Sequence, residues 1–180
     1  MRFTVCSISE VISALVNCSF RTGSFPDELK IAKVCPIFKG GASNIFSNYR
    51  PISILQCFSK NFEKNAFTRL EKYINVNNIL LNNQYGFRSK HSSYMALLDM
   101  YNRVTDSIDN HEVSVGIFID LSKAFDTLDH SLLLQKLYHY SIRGIALQWF
   151  REYLLKRKQS VEYNDCTSSL ANITCGVPQG

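Results

Sequence analysis

The stretch Val115–Asp129, VGIFIDLSKAFDTLD, decides the fold that this sequence predicts. It opens with a nearly uninterrupted apolar run, Val115–Ile119, whose length and β-branched content predict a central strand buried on both faces of a sheet. Asp120 follows at the carboxyl end of that strand, where ligands gather because the sheet fixes the backbone while the next loop stays open. A lone acid in this position can equally be the N-cap of the helical turn that follows, so the position alone leaves both interpretations open.

The longer string Ile119–His130, IDLSKAFDTLDH, closely resembles the first catalytic motif of reverse transcriptases from non-LTR (LINE-like) retrotransposons. The resemblance implies the palm of a right-hand polymerase. In that palm, Asp120 and the backbone carbonyl of Leu121 would bind Mg²⁺, with Mn²⁺ as an alternative ion. It also implies that Phe125 lies beneath the sugar of the incoming nucleotide.

Two upstream segments are similar to the fingers motifs of the same polymerases: Phe25–Gly41, FPDELKIAKVCPIFKGG, and Asn48–Leu55, NYRPISIL. A nucleoside triphosphate carries several negative charges, which cations on a glycine-flanked hairpin can neutralise. The resemblance puts Lys39 and Arg50 at that contact. Without the resemblance, the ordinary interpretation is that Lys39 is a solvated lysine at a strand end and that Arg50 is a structural arginine. Pro36 predicts that the first strand lies at an edge or bulge.

Two more motifs follow in the order that the family has them. Gln84–Ser93, QYGFRSKHSS, resembles the motif between fingers and palm, where Arg88 and Lys90 either bind a template phosphate or are simply exposed loop cations. The final GVPQG resembles the next palm motif, which implies that Gln179 lies near the sugar and base of the nucleotide. The resemblance therefore extends from Phe25 to the last residue.

Apolar periodicity predicts three helices, over Ile8–Phe20, Phe58–Ile74 and Tyr94–Ile108, and the apolar stripes of the first two are expected in the core. Ser92 or Ser93 is the expected N-cap of the third.

The composition allows one domain or two packed subdomains, because 180 residues with 46% apolar content can build a real core. A net charge of +5 suits a nucleic-acid partner, although a mild positive excess is also common in other soluble domains. Six scattered cysteines without zinc-site spacing predict reduced, mostly buried thiols in an intracellular protein, in either nucleus or cytoplasm. No apolar run approaches the ~20 residues of a membrane span.

Nucleotidyl transfer by two metal ions needs more acids than one, and this sequence contains no Asp-Asp pair. In the family those acids lie downstream of the GVPQG motif. We therefore expect an α+β fragment without a thumb, organised as an N-terminal helical segment (1–24), fingers with connecting helices (25–112) and a partial palm with an incomplete sheet (113–180).

The expected function is that of an RNA-directed DNA polymerase, a nucleotidyltransferase that uses an RNA template, a DNA primer and dNTPs. The 180-residue chain alone is expected to be inactive. Two alternatives stay open: a catalytically dead retroelement remnant that at most binds nucleic acid, and a group II intron maturase. The wording KAFDTLDH favours the retrotransposon branch. Nothing in the sequence indicates a protein partner.

Overall fold

The computed structural model describes residues 2–121 and 123–178, with side chains from residue 8 onward. The chain divides into two compact units, which are described separately: a larger unit of Met1–Phe67 with Lys123–Gly180, and a smaller unit of Thr68–Ser122. The helices are α1 (Arg2–Thr22), α2 (Cys57–Val76), α3 (Ser93–Asp109), α4 (His130–His139) and α5 (Gly144–Leu154). The strands are β1 (Ile31–Phe38), β2 (Tyr49–Ile54), β3 (Lys158–Tyr163), β4 (Cys166–Thr167) and β5 (Ala171–Asn172).

The five strands form one small mixed sheet in the larger unit, ordered β2-β1-β3-β4, with β5 also paired to β3. Strand β1 pairs antiparallel with β2 over Lys33–Phe38 and parallel with β3 over Ile31–Val34. A chain of mixed α and β structure, as the sequence predicts, is therefore confirmed.

Pro36 lies in the part of β1 beyond its pairing with β3, so β1 is locally an edge there, as a strand proline requires. It stands opposite Pro51 of β2. Because the Lys39 amide donates to the Asn48 carbonyl, the alternation of an antiparallel ladder makes Pro36–Pro51 a non-hydrogen-bonded pair. The two missing amide hydrogens therefore cost the hairpin no hydrogen bond.

An aromatic cluster forms the core of the larger unit. Trp149, from α5, is 2% exposed; its ring stacks on Tyr153 at 5.6 Å and meets Phe25 edge-on at 5.6 Å. Its indole Nε1 donates to the Ser19 hydroxyl at 2.9 Å, which satisfies the polar atom that a buried tryptophan carries inward. The cluster also contains Ile12, Val16 and Phe20 of α1, Leu29 of the 3₁₀ turn before β1, and Phe62 and Ala66 of α2.

The predicted helices are present. α1 and α2 contain the predicted ranges Ile8–Phe20 and Phe58–Ile74. Each contributes part of its apolar stripe to the core cluster, whereas Ile8, Val11 and Leu15 of α1 and Phe58 of α2 are exposed. In the smaller unit, α3 begins after Ser92, whose hydroxyl accepts the Met95 amide, so the predicted cap is confirmed. None of the residues of α3 is buried.

The prediction of a central strand over Val115–Ile119 is wrong. Residues 113–121 form no strand in the structure, and Val115, Ile117 and Ile119 are 82%, 82% and 83% exposed. A strand needs a neighbour for its N–H and C=O groups, and no strand of the described residues pairs with this segment. Asp120 consequently does not lie at the end of a sheet strand.

The thiols differ from expectation as well. The cysteines of the described side chains are free, as predicted, but Cys18, Cys57, Cys166 and Cys175 are exposed and Cys35 is only half-buried. Cys18, for example, lies two positions from Val16 along α1, which turns it to the other side of the helix. None of the helices in the described part of the chain combines the length and the apolar content that a membrane span requires.

Candidate active site

The hairpin of β1 and β2 places two cations on one face. Arg50 stands opposite Ile37 in the antiparallel register, and Lys39 lies two residues beyond Ile37, just past the end of β1, where its amide still donates to the Asn48 carbonyl at 2.8 Å. Side chains directly opposite, or two residues apart on one strand, point to the same face, so Lys39 and Arg50 are diagonal neighbours. Both are exposed, and neither makes an ion pair with any described residue.

The loop that joins the two strands is held by its own contacts. Asn48 Nδ2 donates to the Ala42 carbonyl at 2.9 Å, and the Tyr49 hydroxyl donates to the Ser43 carbonyl at 2.9 Å. Gly40 and Gly41 have φ values of +126° and +91°, which residues with a side chain rarely adopt. The glycines therefore turn the chain sharply beside Lys39 while leaving its side chain open to solvent.

A second feature of the larger unit joins the turn of Phe125 to the GVPQG motif. The Val177 amide donates to the Phe125 carbonyl at 2.9 Å, and the Gly176 amide donates to the Leu128 carbonyl at 2.7 Å. Asp129 and Cys175 form an antiparallel bridge beside them. Phe125 is 46% exposed, so this turn presents an aromatic surface next to Val177, which lies 52 residues further along the sequence.

Gly176 makes that contact possible. Its φ is +81°, and a Cβ added there would lie 2.7 Å from the Asp126 carbonyl oxygen and 3.0 Å from the carbonyl carbon. No side chain fits at that distance from backbone, so glycine is required both for conformation and for space.

His130, the first residue of α4, has no role predicted from the sequence. Its Nε2 lies 2.7 Å from the Gly176 carbonyl oxygen, and the residue is 7% exposed. Asp129 caps the helix by accepting the amides of Ser131 and Leu132 at 2.7 and 3.0 Å. The Ser131 hydroxyl, together with these amides, holds the pKa of the Asp129 carboxyl below its usual value. An acid immediately before the leucine-rich helix was the signal in the sequence that marked this helix start.

The remaining predicted residues belong to the smaller unit or lie outside the described residues. Asp120 is exposed and Leu121 is 72% exposed, both in the segment without a strand. Arg88 Nη1 donates to the Leu81 carbonyl at 3.0 Å, so this guanidinium is partly used within its own loop, whereas Lys90 is exposed. Gln179 lies outside the described residues.

The carboxylate of Asp120 and the carbonyl of Leu121 are oxygen donors of the kind that Mg²⁺ prefers. Two donors are too few for an octahedral ion, and the described residues contain no group of three or more His, Cys, Asp or Glu that could hold a metal. The described residues therefore do not by themselves form a metal site.

Comparison with known proteins defines the class. The family described as reverse transcriptase (RNA-dependent DNA polymerase) matches residues 37–180 of this chain, so the chain belongs to that family. Enzymes of the family generally use divalent metal ions and act on a nucleic-acid template and primer.

Three of the relatives are named as RNA-directed DNA polymerases, two of them probable, from mobile elements of Drosophila melanogaster. The chain is 30% identical to the probable RNA-directed DNA polymerase from transposon BS over 94% of its own length, and 30% identical to that of the mobile element jockey over 95%. The probable polymerase from the transposon X-element is 28% identical over 94%. In each case the chain spans 19% of the relative. A reverse transcriptase domain of the LINE-like kind, predicted from the motifs, is thereby confirmed.

Proposed function

We propose that this chain is the fingers and first half of the palm of a right-hand polymerase that copies RNA into DNA. In the proposed division, residues 25–112 are the fingers, residues 113–180 belong to the palm, and residues 1–24 are an N-terminal helical segment. One observation carries the proposal. The turn of Phe125 and the segment that leads into Gln179 are both assigned to the nucleotide by family resemblance, and backbone hydrogen bonds join them at 2.7 and 2.9 Å.

The hairpin supports a role in holding the triphosphate. Lys39 and Arg50 point to one exposed face, where charge-assisted hydrogen bonds to phosphate oxygens need no prior ion pair to be broken. A guanidinium can bind two oxygens at once, and an ammonium adds a compact charge beside it. We assign the phosphates of the incoming dNTP to this pair, while Arg88 and Lys90 are assigned to the template backbone.

Phe125 is the proposed sugar gate. A deoxyribose has only hydrogen at its 2′ carbon, whereas a ribose has a hydroxyl that would overlap an aromatic ring held against that carbon. The selection is therefore steric exclusion of the wrong substrate. The partly exposed ring is compatible with this role, since a fully buried ring would have no surface left for a nucleotide.

Asp120 and the Leu121 carbonyl are the proposed contribution of this chain to Mg²⁺ binding, and Mn²⁺ would suit the same oxygen donors. When bound, such ions activate the primer hydroxyl and hold the triphosphate. The other acids that a two-metal site needs would have to come from outside the described residues.

The second candidate is a catalytically inactive remnant that binds nucleic acid through basic residues. The observation that favours it is the exposed, strand-free segment of Asp120, because a catalytic carboxylate normally requires a fixed backbone. A net charge of +5 is compatible with either candidate.

The test uses a chimaera in which this chain replaces the matching segment of the jockey polymerase. Primer extension that depends on Asp120 is expected, and its absence in a folded chimaera would favour the remnant. Phe125→Val should lower the ratio of kcat/KM for a dNTP to that for the matching rNTP by on the order of tenfold to hundredfold. Phe67→Val, at a phenylalanine of α2 that is 59% exposed, is the matched control and should leave the ratio unchanged.

If Phe125→Val leaves the dNTP-to-rNTP ratio of kcat/KM unchanged, the stability of the variant shows whether the ring is a packing residue. Because the Phe125 ring is 46% exposed, its truncation should cost less than the ~3–5 kcal/mol of a core phenylalanine. If the ratio stays constant while the melting temperature of Phe125→Val falls steeply, the ring is packing and the gate assignment is wrong.

A further inference from the structure

His130 occupies an unusual position for a helix-opening residue. The first turn of a helix is usually solvated, yet His130 is 7% exposed. The Asp129 cap fixes where α4 begins, because its carboxylate accepts two amides of the first turn. The start of the helix therefore directs the imidazole inward, toward Gly176.

The hydrogen bond of this imidazole has a defined direction. A carbonyl oxygen only accepts, so the 2.7 Å contact with the Gly176 carbonyl requires the hydrogen to be on Nε2. The Gly176 amide is bound as well, by the Leu128 carbonyl at 2.7 Å. Gly176 is thus held at both its amide and its carbonyl by residues 128 and 130, across 46 or more positions of sequence.

Three hydrogen bonds join residues 125–130 to Gly176 and Val177, and only one of them uses a side chain. The Leu128 and Phe125 carbonyls accept hydrogen bonds from backbone amides, so these two bonds do not depend on any side chain. The Gly176 carbonyl is different, because its donor exists only while residue 130 carries an N–H at the right reach. Gly176 is buried, so removal of that donor leaves a carbonyl without water to replace it.

We propose that His130 is a positioning residue, whose Nε2–H holds the Gly176 peptide so that Val177 stays in register with the turn of Phe125. Its consequence for substrate selection rests on the proposed function. In that function, Phe125 excludes the ribose and Gln179 contacts the same nucleotide. A shift of the GVPQG motif relative to the turn of Phe125 therefore lowers the preference for dNTP over rNTP, although both side chains are still present.

The first experiment is structural and uses the 180-residue chain labelled with ¹⁵N. In the wild type, long-range ¹⁵N–¹H spectra of the ring should show a protonated Nε2 on His130. An unprotonated Nε2 overturns the proposal before any variant is made, because such a nitrogen cannot donate to Gly176.

The variants then test the link by amide exchange. His130→Leu should raise the exchange rate of the Val177 amide by roughly tenfold to hundredfold, as loss of one buried hydrogen bond predicts. His130→Gln, which retains an N–H at similar reach, should restore most of the protection. The Leu155 amide, which donates to the Arg151 carbonyl at the end of α5, is the internal control and should not change.

Two results of the exchange experiment overturn the proposal. One is an unchanged exchange rate of the Val177 amide in His130→Leu, and the other is a Val177 amide that exchanges as fast in His130→Gln as in His130→Leu. If His130→Leu unfolds, the Leu155 amide loses protection too, and the Gln variant together with the wild-type ring spectrum decides the matter.

The catalytic consequence is measured in the jockey chimaera. His130→Leu should lower the dNTP-to-rNTP ratio of kcat/KM about tenfold, and His130→Gln should recover it. A ratio that His130→Leu leaves unchanged overturns the role in selection. Failure of Phe125→Val to change the ratio would instead count against the proposed function, while the exchange rates continue to decide the role of His130.

Discussion

Replacement of Gly176 by alanine probes the close approach between the GVPQG motif and the turn of Phe125. The substitution adds one methyl group and introduces no charge or polar atom. Its Cβ would lie 2.7 Å from the Asp126 carbonyl oxygen and 3.0 Å from both the carbonyl carbon and Cα of Asp126. These atoms are backbone, so no flexible side chain can move aside, and one of the two segments has to shift.

The expected cost has two parts. A residue with a side chain at φ +81° loses about 1–2 kcal/mol relative to glycine. Forcing an extra methyl group into packed surroundings costs about 1–3 kcal/mol more. The total of about 2–5 kcal/mol is a large part of the 5–15 kcal/mol by which a typical domain is stable.

Gly144→Ala separates the two parts, because Gly144 also has a positive φ, +59°, but its added Cβ would meet nothing within 4 Å. The difference between the two variants therefore isolates the contact with Asp126, at about 1–3 kcal/mol. Urea unfolding followed by the fluorescence of Trp149, the single tryptophan, measures both in the larger unit. Equal losses of unfolding free energy in the two variants would refute the close approach.

Three further expectations concern charged residues. In the jockey chimaera, Arg50→Ala should lower kcat/KM for dNTP by roughly tenfold to hundredfold, the worth of one charge-assisted contact, and an unchanged value at normal stability would return Arg50 to a structural role. Lys30 is 1% exposed, and its Nζ lies 2.7 Å from an Asp27 carboxylate oxygen and 3.5 Å from a Glu152 carboxylate oxygen. Because both carboxylates reach solvent and can be hydrated once the lysine is gone, Lys30→Met should change the unfolding free energy by no more than about 1.5 kcal/mol. A larger loss in urea unfolding would contradict this. The 180-residue chain with primed RNA, dNTPs and Mg²⁺ should extend the primer no better than Asp120→Ala, since the described residues lack a full metal-ligand set, and Asp120-dependent extension would contradict that.

The sequence predicts well those elements whose stabilising contacts are local or repeat along one helix face. The stripe of α2 brings Phe62 and Ala66 into the core, and the glycine pair after Lys39 predicts the turn of the β1–β2 hairpin. Pro36 correctly marks the part of β1 that is free of a second neighbour. In each case the residue type restricts its own backbone or its own face, so no distant partner has to be known.

Val115–Ile119 shows where this reasoning fails. An apolar, β-branched run favours a strand only if other strands accept its hydrogen bonds and other side chains cover its faces. Those partners are not encoded in the run itself, and none of the described strands supplies them. In α3 the periodicity correctly predicts a helix, although its apolar residues Tyr94, Leu97 and Tyr101 are exposed. Helix formation needs no neighbour for its backbone, which explains why α3 forms while the predicted strand does not.

The string IDLSKAFDTLDH therefore consists of two parts with different structural support. The part from Phe125 to His130 is fixed by a helix cap and by three hydrogen bonds to Gly176 and Val177. The part with Asp120 belongs to the other unit and lies in an exposed segment without a strand. Proposed selection of the nucleotide depends on the first part, and proposed metal binding depends on the second. Substitutions at Gly176 and His130 should consequently change stability in this chain as it stands and nucleotide discrimination in the jockey chimaera. An effect of Asp120 should be measurable only where further acids complete the metal site.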